Sequence, residues 1–152
     1  MPQFTMQSEL AIAPDRFWSG MSMRAVNDEL NPLVHMTAPP AWRDGPLEAW
    51  QTGRVLFRSW VLLFGWLPVD RHALQLQAID PAGGFVEEST SWTHRRWRHE
   101  RSTGATPRGC LLTDRVTVDS RVPGLAWALL PVYRAVFAHR HRRLLQGYGA
   151  PR

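Results

Sequence analysis

After Pro123-Gly124 the period of apolar residues changes once, from that of strands to that of a helix. Before that point the chain runs through strand-like segments at 54–64, 71–79, 85–94, 96–103 and 110–120. They are separated by turn-forming groups: Gly65 with Pro68 and Asp70, Asp80-Pro81 with Gly83-Gly84, and Gly104 with Pro107 and Gly109. Such short connections predict an antiparallel meander. After it, Ala126, Leu129, Leu130, Tyr133, Val136, Phe137 and Leu144 fall at helical spacing, predicting one long helix to about Gln146 with Pro131 in its first turns or at a kink. A single amphipathic helix needs an apolar surface to cover, and a curved sheet supplies one.

The N-terminal third completes the plan. Residues 4–13 alternate as a strand, with Phe4, Met6, Ser8, Leu10 and Ile12 on one side. Pro14 offers a first helical position for a short helix that Gly20 stops. A second short helix over 22–30 must end near Asn31, because a residue before proline avoids the helical conformation. Residues 35–38 read as extended and 39–53 as a loop. The predicted architecture is α+β: about six or seven antiparallel strands curved around a long C-terminal helix, with two short helices after the first strand.

At 152 residues the chain suits one domain, spanning 1–152. The net charge of +5 favours acidic partners, but all 18 basic residues are arginine and many stand singly, so a nucleic-acid surface is a third-ranked reading. Cys110 is the sole cysteine and forms no intrachain disulfide. The N-terminus lacks a signal-peptide pattern, and the longest apolar run, around 60–69, is too short for a membrane-spanning helix, so a cytoplasmic protein is expected. A homodimer is compatible with the sequence. Phosphate-binding glycine loops and other cofactor motifs are absent, and no cofactor is expected.

The segment WTHRRWRHER, residues 92–101, joins two tryptophans, two histidines and four arginines. Alternation places Trp97, His99 and Arg101 on one side and Arg96, Arg98 and Glu100 on the other. In LLTDRVTVDS, Leu112, Asp114, Val116 and Val118 share the apolar side, so Asp114 demands a partner. Arg140 and His141 lie at the edge of the last helix's apolar stripe and can supply it. His139 and His141 diverge by about 200° on a helix, and His94 and His99, five apart, are read on opposite strand faces, which argues against a metal site. Neither Cys110 nor any serine sits in a nucleophile motif.

The order VNDELNP (26–32), HMTAP (35–39), LFGWLPVDRH (63–72), AIDPAGGFVEE (78–88), WRHE (97–100), LTDRV (112–116) and FAHRHRRL (137–144) resembles the START-like, or SRPBCC, superfamily. This is the helix-grip fold of birch-pollen-allergen-like and polyketide cyclase/dehydrase-like proteins. The resemblance covers nearly the whole chain and implies a cavity between sheet and terminal helix that takes hydrophobic molecules such as lipids, sterols or aromatic polyketides. Many relatives carry a glycine-proline-aromatic stretch where this chain has Trp92, Thr93 and His94. Trp60, Trp97, Tyr133 and Phe137 are then candidate walls, and His72, His99, Asp114 and His141 candidate polar contacts. The expected function is that of a carrier or sensor of a hydrophobic or aromatic small molecule. The alternative is a metal-free cyclase or dehydratase using His99 and Asp114 as acid and base.

Overall fold

The computed structural model describes residues 1–46, 49–80 and 83–152. In chain order the elements are β1 (Gln3–Leu10), α1 (Pro14–Ser19), α2 (Met23–Leu30), β2 (Val34–Met36), α3 (Pro40–Arg43), β3 (Val55–Leu63), β4 (Leu67–Asp80), β5 (Gly84–Ser91), β6 (His94–Thr106), β7 (Gly109–Ser120) and α4 (Leu125–Tyr148). The strands form one curled antiparallel sheet in the order β1-β7-β6-β5-β4-β3-β2. Long β-hairpins build β3 through β7, and β1 closes the far edge on β7, with Phe4 opposite Val116 and Met6 opposite Asp114. Among the described residues no helix is long and apolar enough to cross a membrane.

Local chemistry sets the helix ends. Pro14 occupies the first turn of α1 and Gly20 caps its end. Ser22 caps α2 by accepting the Ala25 N–H, and extended Asn31 before Pro32 ends it. Asn27 then grips Met36 through both backbone groups, at 2.9 and 2.8 Å, and so fixes α2 against β2. Gly124 (φ 79°) and Gly149 (φ 83°) bound α4 in conformations that other residues avoid. Pro131 lies inside α4, which continues past it.

Several boundaries differ from the sequence expectation. Residues 39–53 contain α3, a single turn begun by Pro40. Strand β4 starts at Leu67, so Pro68 and Asp70 lie within it and the tip of the hairpin is Phe64–Trp66. Pro81, part of the expected 80–84 turn, lies outside the described residues. The β5–β6 turn falls at Trp92 and Thr93, which splits WTHRRWRHER into a turn and a strand.

Two apolar clusters hold the sheet to the helices. One gathers Leu10, Phe17, Trp18, Met23, Phe57, Leu74, Leu76, Leu112 and Leu144. The other gathers Phe4, Val116, Val118, Ala126 and Phe137, with Trp97 and Tyr133 packed against it. Between them the inward positions turn polar at the same level on each element. Along β7 the order is Leu112, Asp114, Val116; along α4 it is Phe137, Arg140, His141, Leu144; along β6 it is Trp97, His99, Arg101. A polar band therefore crosses the interior between two greasy ends.

Candidate functional site

Asp114 is the centre of this band. Its side chain is fully buried, and Arg101 donates to both of its oxygens, from Nε to Oδ1 at 2.8 Å and from Nη2 to Oδ2 at 2.9 Å. His99 Nε2 lies 2.7 Å from Oδ1 and His141 Nε2 lies 2.8 Å from Oδ2. An ionised carboxylate only accepts, so both imidazoles donate through Nε2. Burial pushes the Asp114 carboxyl up, but Arg101, His99 and His141 overcome it and hold the group well below the ordinary carboxylate range.

The same Arg101 reaches Glu29 on α2, at 3.0 and 2.8 Å, and Arg140 Nε donates to Glu29 at 3.1 Å. Glu29 is also held below its ordinary value: burial opposes this, and Arg101 and Arg140 prevail. Arg140 thus meets Asp114 through Glu29 and Arg101, whereas the sequence reading made it a direct partner. On the other side His72 Nε2 lies 2.5 Å from Glu87 Oε2, and Glu87 Oε1 faces His99 Nδ1 at 3.8 Å. Glu87, against burial, is kept low by His72 and then His99. Three ionised carboxylates share the band with two guanidiniums and three imidazoles, and Ser8 Oγ closes it 2.7 Å from His141 Nδ1.

The eight sequence-derived candidates are distributed unevenly. His72, His99, Asp114 and His141 belong to the charged band. Phe137 packs edge-on to His99 at 5.1 Å, and Trp97 sits against both Phe137 and Tyr133, at 6.4 and 5.5 Å between centroids. Trp60 stands apart from all of them, covered by the guanidinium of Arg71 at 4.5 Å and edge-on to exposed Trp92 at 5.0 Å.

On the far side of Trp97 from His99 lies a second polar group. His94 Nε2 is 2.6 Å from Tyr133 Oη, and His94 Nδ1 is 2.9 Å from Ser91 Oγ, 3.0 Å from Thr93 Oγ1 and 3.4 Å from Asp70 Oδ2. The sequence reading put His94 on the face opposite His99. A register shift between His94 and Arg96 inserts one extra residue and turns His94 inward beside Trp97, at 5.5 Å. Against burial, His94, Thr93 and Ser91 keep Asp70 ionised with a lowered pKa. Tyr133 is half-buried, and burial together with the Asp70 charge pushes its phenol up to about 12.

Glu29, Glu87, Asp70 and His94 escaped the sequence reading of the site. Glu29 alone left a usable signal, three residues after Val26 on the apolar side of α2. Arg96 and Arg98, by contrast, face outward and are engaged by Glu88, at 2.7 and 3.1 Å, and Arg98 also by Glu100 at 2.8 Å. Among the described residues no cluster of three or more His, Cys, Asp or Glu is placed to hold a metal ion. Two recesses open at the margins of the band, each lined in part by one of its members, Glu29 or Arg101. One of about 290 Å³ lies between α1, α2 and the end of α4, lined by Phe17, Met21, Leu144 and Tyr148. Another of about 410 Å³ is lined by Ile79, Phe85, Val86 and Arg115.

A curled seven-stranded antiparallel sheet closed by a long terminal helix is a helix-grip fold. Residues 8–148 match the family model described as Domain of unknown function (DUF8410), and the chain belongs to that family. Solved structures of the same fold include Ara h 8.0201, at 11% identity and TM-score 0.59 over 95% of this chain and 98% of that one. Protein CV1439 from Chromobacterium violaceum is similar at 12% identity and TM-score 0.64, over 97% and 96% of the two chains. DynU16, titled a putative protein in the dynemicin biosynthetic locus, is similar at 9% identity and TM-score 0.57 over 99% of this chain but 49% of its own. At such identities these likenesses speak to fold. No curated protein matches the chain.

Proposed function

We propose that residues 1–152 act as one domain that binds a hydrophobic or aromatic small molecule between sheet and α4, as a carrier or sensor. The observation that carries this reading is the contrast along the interior. At the centre of the charged band Asp114 and Arg101 are fully buried, whereas Trp97 and Tyr133 are only partly buried. An apolar wall with a few polar atoms beyond it is the usual composition of a small-molecule site. In this reading Trp97, Tyr133 and Phe137 touch the ligand, and His99, Asp114, His141 and His72 form the floor beneath it. Acid-base chemistry by His99 and Asp114 has less support, because the polar atoms of both already face charged neighbours.

Fluorescence titration with the neutral dye N-phenyl-1-naphthylamine tests the proposal. Saturable binding near 1:1 that weakens at least about tenfold in Trp97→Ala, about 1.4 kcal/mol, is expected, with Trp60→Ala leaving it unchanged. Equal affinity for the wild type and Trp97→Ala would overturn it.

A further inference from the structure

The large apolar side chains that face water gather at one end of the molecule. β3, β5 and β7 run toward that end, so the β3–β4 tip, the β5–β6 turn and the β7–α4 link all lie there. The three are joined. Trp60 near the tip meets Trp92 of the turn at 5.0 Å, and Arg121 of the link donates to the carbonyls of Ser91 and Thr93 on either side of Trp92. Along this rim Phe64, Trp66, Trp92 and Trp127 are 61, 72, 64 and 61% exposed, with Val122 and Val132 exposed among them. Among the described residues the exposed large apolar side chains away from this end are Val55, Leu111 and Tyr148, and none is a tryptophan.

Folding gains little from these positions. Phe64 takes a left-handed backbone conformation, φ 55°, which is costly for a bulky residue, and still holds its ring in water. The first half of α4, LAWALLPVYRAVFA at 125–138, has Arg134 as its single charged residue. One side of it packs Ala126 and Phe137 onto the sheet, while the other side presents Trp127, Ala128, Pro131 and Val132 to solvent. A helix apolar on both sides belongs between two apolar phases, and an exposed patch of this kind marks a surface that something covers.

We propose that this end docks peripherally on an anionic lipid bilayer, with the rings of Trp66, Trp92 and Trp127 in the headgroup layer. Tryptophan favours that layer, where its ring leaves water while its indole N–H stays hydrated. The rim also carries guanidiniums for the headgroups. Arg71 lies over Trp60, Arg121 donates to backbone carbonyls and Arg134 is exposed, so among the described residues none of the three is paired with a carboxylate. The carboxylates of segments 61–71, 90–96 and 118–134 are Asp70, buried and bonded to Ser91 and Thr93, and Asp119, paired with Arg95 at 3.4 Å. A second copy placed on this face by a twofold axis would set these guanidiniums against their own counterparts, whereas anionic lipid offers them the opposite charge. The docking needs no ligand beside Trp97.

Vesicles of phosphatidylcholine and phosphatidylglycerol in equal parts test this, with binding read by co-flotation and depth by quenching of tryptophan emission from brominated acyl chains. The wild type is expected to bind saturably, to be quenched, and to bind more weakly as salt is raised. Trp66→Ser, Trp92→Ser and Trp127→Ser combined are expected to lower the partition coefficient at least about tenfold. Arg134→Glu is expected to lower it at least about threefold, and Val55→Ser at the opposite end to leave it unchanged. The three rings lie mostly in water, so the urea midpoint of the combined variant is expected to stay near that of the wild type. No binding by the wild type, binding without quenching, or undiminished binding by the combined variant would overturn the proposal. A dimer in sedimentation velocity that the same three substitutions dissolve, with no vesicle binding, would overturn it and assign the face to a second copy.

Discussion

His141 on α4 sets its Nε2 2.8 Å from Oδ2 of Asp114 on β7, and so ties the last helix to the middle of the sheet inside the protein. Because Asp114 also balances Arg101 and His99, its loss would strand three donors at once. Asp114→Ala is expected to cost about 3–5 kcal/mol or prevent folding, as breaking one side of a buried pair does. Urea unfolding against the wild type checks it.

Two arginines of one strand make a sharper comparison. Arg98 pairs with Glu88 and Glu100 on the outer face, whereas Arg101, 1% exposed, bridges Asp114 and Glu29. Arg98→Ala is expected to change stability by at most about 1 kcal/mol. Arg101→Ala is expected to cost about 3–5 kcal/mol, measured in the same unfolding series.

The charged band also fixes the response to acid. The carboxyls of Glu29, Glu87 and Asp114 are lowered in the folded protein, so the unfolded chain binds protons first as pH falls. Their contribution is full above the unfolded value of about 4 and is lost as pH drops through the folded values. Urea midpoints measured between neutral and strongly acidic pH are expected to decline below that point.

Gly84 offers a steric test. A Cβ there would lie 2.1 Å from the Arg101 carbonyl oxygen, against backbone that cannot yield cheaply. Gly84→Ala is expected to destabilise by about 1–3 kcal/mol, the range for overpacking, and to shift amide resonances along β5 and β6.

Much of the architecture was legible because single-strand alternation carries it. The inward placement of Trp97, His99 and Asp114 follows from period-two patterning; His99 and Asp114 are buried and Trp97, partly buried, packs against the inner cluster. The face of Trp60 did not follow, since VLFRSWVLL is apolar on both sides and alternation then discriminates nothing. The inward turn of His94 depends on a one-residue bulge, for which the local sequence has no marker. The pairing of Glu29 with Arg101 spans 72 residues and becomes visible only once α2 is laid beside β6.

The proposed ligand lies beside Trp97 and Tyr133, next to the buried centre of the charged band. Mapping 1H–15N chemical-shift changes on adding N-phenyl-1-naphthylamine tests this placement most directly. The account predicts saturable changes concentrated at Trp97, His94, Tyr133 and Phe137, including the Trp97 indole N–H. Changes centred on Phe17, Met21 and Tyr148, or on Ile79 and Phe85, with the Trp97 indole unmoved, would contradict it.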